Sequence, residues 1–312
     1  MRVLVTGASG FSGRALVRDL ARRGIEVFAG VRNGSCRIED VSRRVAMPDL
    51  SQPFAAGPIV EGMDAVVHLA GLAHSSPRIS EAVYQAVNCE AARALAQASR
   101  AAGVSKFIYV SSVRAQCGPG ANTVVTEAAK PAPTDAYGRS KLAGENAVFQ
   151  ALSGSPTRAV VLRPVLMYGP DPKGNMATLE RLARSRWPLP LGALPARRSL
   201  LGLANFADAV AFVLGAPQTA GATYLLADAG PPVTVGDIVT ALRKGMGREA
   251  GLIRLPLPGV RVLLDLAGKS DMAARLFDDL VVSTCKLTAA GWQAPLTTAQ
   301  GLTAAISCRP GD

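Results

Sequence analysis

The sequence predicts an α/β fold in which a doubly wound parallel sheet is followed by a smaller, irregular α/β unit. Three observations carry that expectation. Short β-branched runs alternate with helical patterns through the first half. A glycine-rich turn follows the first of these runs directly. Beyond about residue 165 the texture becomes uneven and punctuated by proline. At 312 residues, 49% hydrophobic and 18% charged, the chain can bury the core of one large or two modest domains and is not a disordered polymer.

Strands are expected at 3–6, 27–31, 65–70 and 107–111. Each is a nearly continuous apolar run, as a parallel sheet covered on both faces requires. Between them, 14–23 reads as a helix with Leu16, Val17, Leu20 and Ala21 on one face, and the alanine-rich 80–102 as another. A helix over 136–152 and a strand over 159–163 follow. Residues 169–174 are a turn-rich break, and Pro188, Pro190 and Pro195 interrupt the next stretch. Helices at 206–215 and 235–246 and short strands at 223–226 and 252–254 complete the pattern. The expected division is 1–165 and 166–312, with segments near 200–226 returning to the first unit.

Charge and cysteine usage narrow the function classes. The net charge of +11 suggests an anionic ligand. No basic run of five or six residues occurs, however, and the arginines are scattered in pairs such as Arg22-Arg23 and Arg197-Arg198. Aromatic residues are 5% of the chain, too few for base-stacking platforms. Phosphorylated small molecules are therefore expected rather than nucleic acid. The longest apolar runs, 209–216 and 260–268, are too short for a membrane span, and the N-terminus lacks the pattern of a signal peptide. Five dispersed cysteines with no C-x-x-C suggest a reduced, cytoplasmic chain without disulfides or structural zinc. His68 reads as a strand residue, and its spacing from His74 suggests no metal site.

The glycine turn carries the first chemical signal. Gly7, Gly10 and Gly13 form G-x-x-G-x-x-G between the first strand and the first helix. Glycines there allow a tight turn and close backbone approach to a pyrophosphate, and the helix start at Phe11 and Ser12 supplies free N–H groups. The second signal is Tyr137-Gly138-Arg139-Ser140-Lys141. An i, i+4 spacing puts Tyr137 and Lys141 on one helix face, where a cation one turn away is expected to lower the pKa of the phenol. An isolated match of this kind is more often a solvated helix face. Its place after the glycine turn and the strand series reverses that weighting.

In these motifs the chain resembles the extended short-chain dehydrogenase/reductase family, its NAD-dependent epimerase/dehydratase group, and is similar to UDP-galactose 4-epimerases. The motifs agree in order from residue 1 to about residue 210. The resemblance implies a Rossmann-type first domain for the dinucleotide and a second for the substrate. It implies a catalytic set of Ser112, Tyr137 and Lys141, with Ser112 placed 25 residues before the tyrosine. It further implies dinucleotide contacts from Gly7, Gly10, Phe11, Ser12, Gly13, Asp49, Leu50, Leu69, Ala70, Gly71, Asn88 and Pro164, besides Tyr137 and Lys141. On the substrate side it points to Ser112, Asn175, Arg198 and Arg275, the last two as clamps on a nucleotide diphosphate.

Two departures from the family pattern matter. NAD-using epimerases end their second strand in Asp; here Val31 and then Arg32 occupy that place. The change removes a repulsion against a 2′-phosphate and offers it a partner, so NADP is slightly favoured over NAD. Related dehydratases carry Asp-Glu after the catalytic hydroxyl residue, where this chain has Val113-Arg114; dehydration is disfavoured. The expectation is an oxidoreductase acting at C4 of a UDP-hexose, as a 4-epimerase or a 4-keto-sugar reductase, with a homodimer as the candidate assembly. The alternatives are a reductase of a non-sugar ketone, of dihydroflavonol-reductase type, and a non-catalytic cofactor sensor.

Overall fold

The structure is a computed structural model describing residues 1–32, 41–72, 79–172, 174–189, 191–253, 266, 268 and 276–307. Seven parallel strands form the main sheet: β1 (Arg2–Thr6), β2 (Glu26–Val31), β3 (Arg43–Ala46), β4 (Ala65–His68), β5 (Lys106–Val110), β6 (Arg158–Pro164) and β9 (Ala222–Leu226), in the order β3-β2-β1-β4-β5-β6-β9. A separate parallel pair joins β7 (Leu166–Tyr168) to β8 (Leu200–Gly202). The helices are α1 (Phe11–Arg22), α2 (Gly57–Val60), α3 (Glu81–Gln85), α4 (Ala91–Ala101), α5 (Ala136–Leu152), α6 (Gly174–Ala183), α7 (Leu203–Gly215), α8 (Val235–Gly245), α9 (Cys285–Ala289) and α10 (Thr298–Ser307). This is the Rossmann-like α/β fold.

Strand periodicity divides the core into two layers. On β5, Ile108 and Val110 face one side; Phe107 and Tyr109 face the other. The first side packs against Leu16, Val17 and Leu20 of α1 and Phe206, Val210 and Val213 of α7. The second packs against Leu95 and Ala96 of α4 and Val148 and Leu152 of α5. A third cluster, with Tyr168, Met176, Leu200, Ile238, Leu242 and Leu302, lies outside the main sheet and forms the later unit.

Of the 200–226 stretch, β9 pairs with β6, whereas Leu200–Gly202 pairs with β7. A buried polar hub ties the pieces together. The Asp228 carboxylate accepts from the Gly202 N–H, the Asn205 amide and the Tyr168 hydroxyl, each at 2.7 Å. The strand expected at 252–254 is present only as a bridge between Leu189 and Leu252, and Arg254 lies outside the described residues. The helix expected over 80–102 is interrupted by a π-helical turn, Ala86–Glu90. No helix among the described residues is long and apolar enough to cross a membrane. Cys89, Cys117 and Cys285 are free thiols; Cys36 and Cys308 lie outside the described residues.

Candidate functional site

Strand order reverses between β1 and β4, so their carboxyl ends border the crevice where open α/β sheets bind ligands. The glycine turn sits at this point. Gly7 has φ +70°, and a Cβ on it would press on the backbone of Ala70, 2.9 Å from its nitrogen. A Cβ on Gly13 would overlap the Gly7 carbonyl oxygen, so α1 can approach β1 this closely only with glycine there. Gly10, the N-cap of α1, brings no side-chain cap, and the first turn at Phe11, Ser12 and Gly13 contains no acidic residue. An uncapped helix start without a competing carboxylate fits a dinucleotide pyrophosphate.

Beneath the turn, the Ala70 N–H donates to Thr6 Oγ1 at 3.1 Å, and Thr6 Oγ1 lies 2.7 Å from His68 Nδ1. His68, the last residue of β4, is fully buried; burial and then the Lys141 charge push its pKa down to about 3. Leu69, Ala70 and Gly71 continue from β4 along the crevice. A Cβ on Gly71 would lie 2.6 Å from Asn88 Oδ1 and 3.2 Å from Lys141 Nζ. Asn88 sits in the π turn. Its Oδ1 accepts from the Leu72 N–H at 2.9 Å, and its Nδ2 donates to Ser140 Oγ at 3.0 Å, stitching the post-β4 loop to α5. At the other end of the crevice, Val31 closes β2 and is buried, Arg32 is exposed, and Leu50 is buried. Asp49 Oδ1 accepts from the Ser51 N–H and hydroxyl; these bonds and the charge of Arg32 hold the exposed carboxyl below its usual range. Pro164 is the buried last residue of β6.

Ser112, Tyr137 and Lys141 are brought together at the carboxyl end of β5, with exposures of 9%, 7% and 4%. Ser112 caps the 3₁₀ turn Val113–Ala115, its Oγ accepting from the Arg114 N–H at 3.1 Å, and its hydroxyl favours the phenolate of Tyr137. Lys141 Nζ donates to the Val110 carbonyl at 3.0 Å and lies 4.8 Å from the centre of the Tyr109 ring. The expected lowering of the tyrosine pKa by Lys141 is not what the fold produces. Burial raises Tyr137 to about 12 although the Ser112 hydroxyl opposes the rise, and burial lowers Lys141 to about 8. Desolvation penalises both charged forms and outweighs a cation that is itself held by a carbonyl.

Sequence reasoning missed the supports of this cluster. Glu145, one turn beyond Lys141, accepts from Arg163 Nε at 2.9 Å and Nη2 at 2.5 Å and from Ser111 Oγ at 2.5 Å. Arg163 Nη1 also donates to the Gln116 side chain. This buried network joins β5, β6, α5 and the loop after Ser112. The signal was present, since Tyr137, Lys141 and Glu145 repeat every four residues on one helix face. Asp135 is a second omission. It is the N-cap of α5, Oδ1 accepting from the Gly138 N–H at 2.7 Å, and it ion-pairs with Arg114 at 2.7 Å.

The substrate candidates are less well gathered. Arg198 donates from Nη1 to the Pro119 carbonyl at 2.9 Å and from Nη2 to the Asp278 carbonyl at 3.1 Å, joining the loop after the Ser112 turn to the 278–280 segment. Asn175 is in the first turn of α6, but its side chain lies outside the described residues, as do Arg275 and His74. No group of His, Cys, Asp and Glu among the described residues could hold a metal ion.

Fold, uncapped helix start and buried Ser–Tyr–Lys cluster together define a dinucleotide-binding α/β oxidoreductase class. Residues 3–227 match the NAD dependent epimerase/dehydratase family, and the chain belongs to it. It is an enzyme of short-chain dehydrogenase/reductase type and uses a nicotinamide dinucleotide. It is 30% identical over 310 residues to a UDP-glucose 4-epimerase of Vibrio cholerae, covering 96% of this chain and 92% of that protein. It is 32% identical over 262 residues to a ceramide reductase of Caulobacter vibrioides, covering 83% and 74%. MoeE5 in complex with UDP-glucuronic acid and NAD shares the fold, with a TM-score of 0.78 over 98% of each chain at 23% identity.

Proposed function

We propose that this enzyme acts at C4 of a UDP-hexose, foremost as a 4-epimerase, with Ser112, Tyr137 and Lys141 as its catalytic set. The observation that carries this reading is the hydroxyl pair. Ser112 and Tyr137 meet at the sheet's carboxyl end, where the serine hydroxyl favours the phenolate, with Lys141 one turn along the same helix and the uncapped α1 at the same crevice. The Vibrio cholerae relative, which covers nearly the whole chain, supports the sugar-nucleotide substrate.

Residues 1–165 serve the dinucleotide in this reading, and 166–312 mainly the sugar nucleotide. The glycine turn, Asp49, Leu50, Leu69, Ala70, Gly71, Asn88 and Pro164 line the dinucleotide. The dinucleotide supplies a two-electron acceptor and donor. Ser112 holds the oxygen at C4, and Tyr137 exchanges a proton with it as that carbon is oxidised and then reduced. Lys141 orients the tyrosine and the dinucleotide ribose. A buried phenol with a pKa near 12 is a weak base at neutral pH, and a positive charge brought beside it lowers that value. Arg198, Asn175 and Arg275 are the candidates for the diphosphate end.

A second reading is reduction of a ketone by NADPH. It is favoured by Val31 and Arg32, which offer no carboxylate to a ribose 2′-hydroxyl at the end of β2, and by the reductase named among the relatives. Incubation with UDP-glucose, UDP-galactose, their N-acetyl analogues and a 4-keto sugar nucleotide, with each dinucleotide in oxidised and reduced form, separates the two by NMR of the products. Inversion at C4 without net consumption of reduced dinucleotide supports the epimerase. Consumption only with keto substrates supports the reductase.

A further inference from the structure

We infer that Arg114 and Asp135 form a clamp that positions the Ser112 hydroxyl against the Tyr137 phenol and balances the charge beside it. The inference builds on the proposed catalytic set. Arg114 lies two residues after Ser112, and its N–H donates to Ser112 Oγ at 3.1 Å. Asp135 lies two residues before Tyr137 and caps its helix through the Gly138 N–H at 2.7 Å. The guanidinium and carboxylate meet at 2.7 Å, with side-chain exposures of only 15% and 17%. The two backbones are pressed together as well, since a Cβ on Gly138 would overlap the Arg114 carbonyl oxygen. One ion pair thus joins the loop carrying the serine to the helix carrying the tyrosine.

Stability alone is a poor reason for such a pair. Removing both charges from water offsets most of their attraction, and the buried Arg114 Nη1 has no hydrogen-bond partner among the described residues. The second consequence is electrostatic. The groups that bear on Tyr137 are Ser112, Asp135, Arg114, Tyr84 of α3 and Tyr109 of β5, while Lys141 lies one turn along its own helix. Arg114 favours the phenolate and Asp135 disfavours it. Paired, they oppose one another, and removal of either tips the balance in a known direction.

The test is an NMR titration of ¹³Cζ-labelled tyrosine in the NAD-saturated protein. With five tyrosines in the chain, Tyr137→Phe identifies the resonance. Asp135→Asn keeps an N-cap and is expected to lower the Tyr137 midpoint by roughly half a unit to one unit. Arg114→Gln raises it, and Arg114→Lys leaves it near wild type. Midpoints that move in the same direction in Asp135→Asn and Arg114→Gln, or do not move, overturn the clamp. If Arg114→Gln does not fold, an unshifted midpoint in Asp135→Asn overturns it alone. The catalytic reading fails separately, if Tyr137→Phe turns over UDP-hexoses at the wild-type rate.

Discussion

At the scale of single residues, burial decides what the site's groups can do. Tyr137 and Lys141 are each almost closed to solvent, and desolvation pushes both toward their neutral forms. In the proposed mechanism, replacing Tyr137 by Phe removes the proton partner and little volume. Turnover is expected to fall about 100- to 10,000-fold, with NAD affinity unchanged by calorimetry. His68 makes a separate prediction. The folded protein keeps it neutral down to a pH of about 3, whereas the unfolded chain takes up a proton near the ordinary histidine value of 6.5. The unfolded state therefore binds more protons in that window, and stability falls as the pH drops through it, by about 1.4 kcal/mol per unit for this group. Urea melts at pH 4.5 to 7 are expected to show a flatter dependence in His68→Leu by about one proton. An unchanged slope would place the acid sensitivity elsewhere.

At the scale of elements, the sequence carried the existence of α5, β5 and β6 better than the local geometry that arms them. The run over 136–152 was legible as a helix, although the Asp135 cap that starts it was not. The π turn at 86–90 was not, because an extra residue in one helical turn leaves no mark in hydropathy, yet it sets where Asn88 meets α5. Gly144 on α5 lies directly over that turn, where a Cβ would overlap the Asn88 carbonyl oxygen and sit 2.5 Å from the Tyr109 hydroxyl. Gly144→Ala is expected to cost about 1–3 kcal/mol, read as a lower urea midpoint. The end of β2 bears on cofactor choice. Arg32 shares its neighbourhood with Asp49, whose carboxylate offsets part of its attraction for a 2′-phosphate. The expected preference for NADP(H) over NAD(H) is therefore modest, about tenfold, the size of one charge-assisted contact. Val31→Asp is expected to reverse it in a calorimetric titration, and equal or tighter NAD binding by the unaltered protein contradicts it.

At the scale of the whole molecule, the doubly wound sheet was legible because its central strands are continuous apolar runs, whereas the edge strand β3, with two arginines and mostly exposed, carries no such signal and was not foreseen. The later unit was legible only as a smaller, irregular stretch, because its ties are single polar contacts such as the Asp228 hub and the Arg198 carbonyl bonds, which leave no periodic trace. Those ties predict that Arg198→Lys raises KM for a UDP-hexose while leaving NAD affinity alone, because an ammonium cannot reproduce the planar fork. The central claim is oxidation and reduction at C4 of a UDP-hexose with the same hydrogen returned. UDP-glucose carrying deuterium at C4, incubated with the enzyme and NAD, tests it most directly by NMR. The expected product is UDP-galactose with the deuterium retained at C4, with no accumulation of reduced dinucleotide. Loss of the label to solvent, or no inversion with any UDP-hexose, would contradict it.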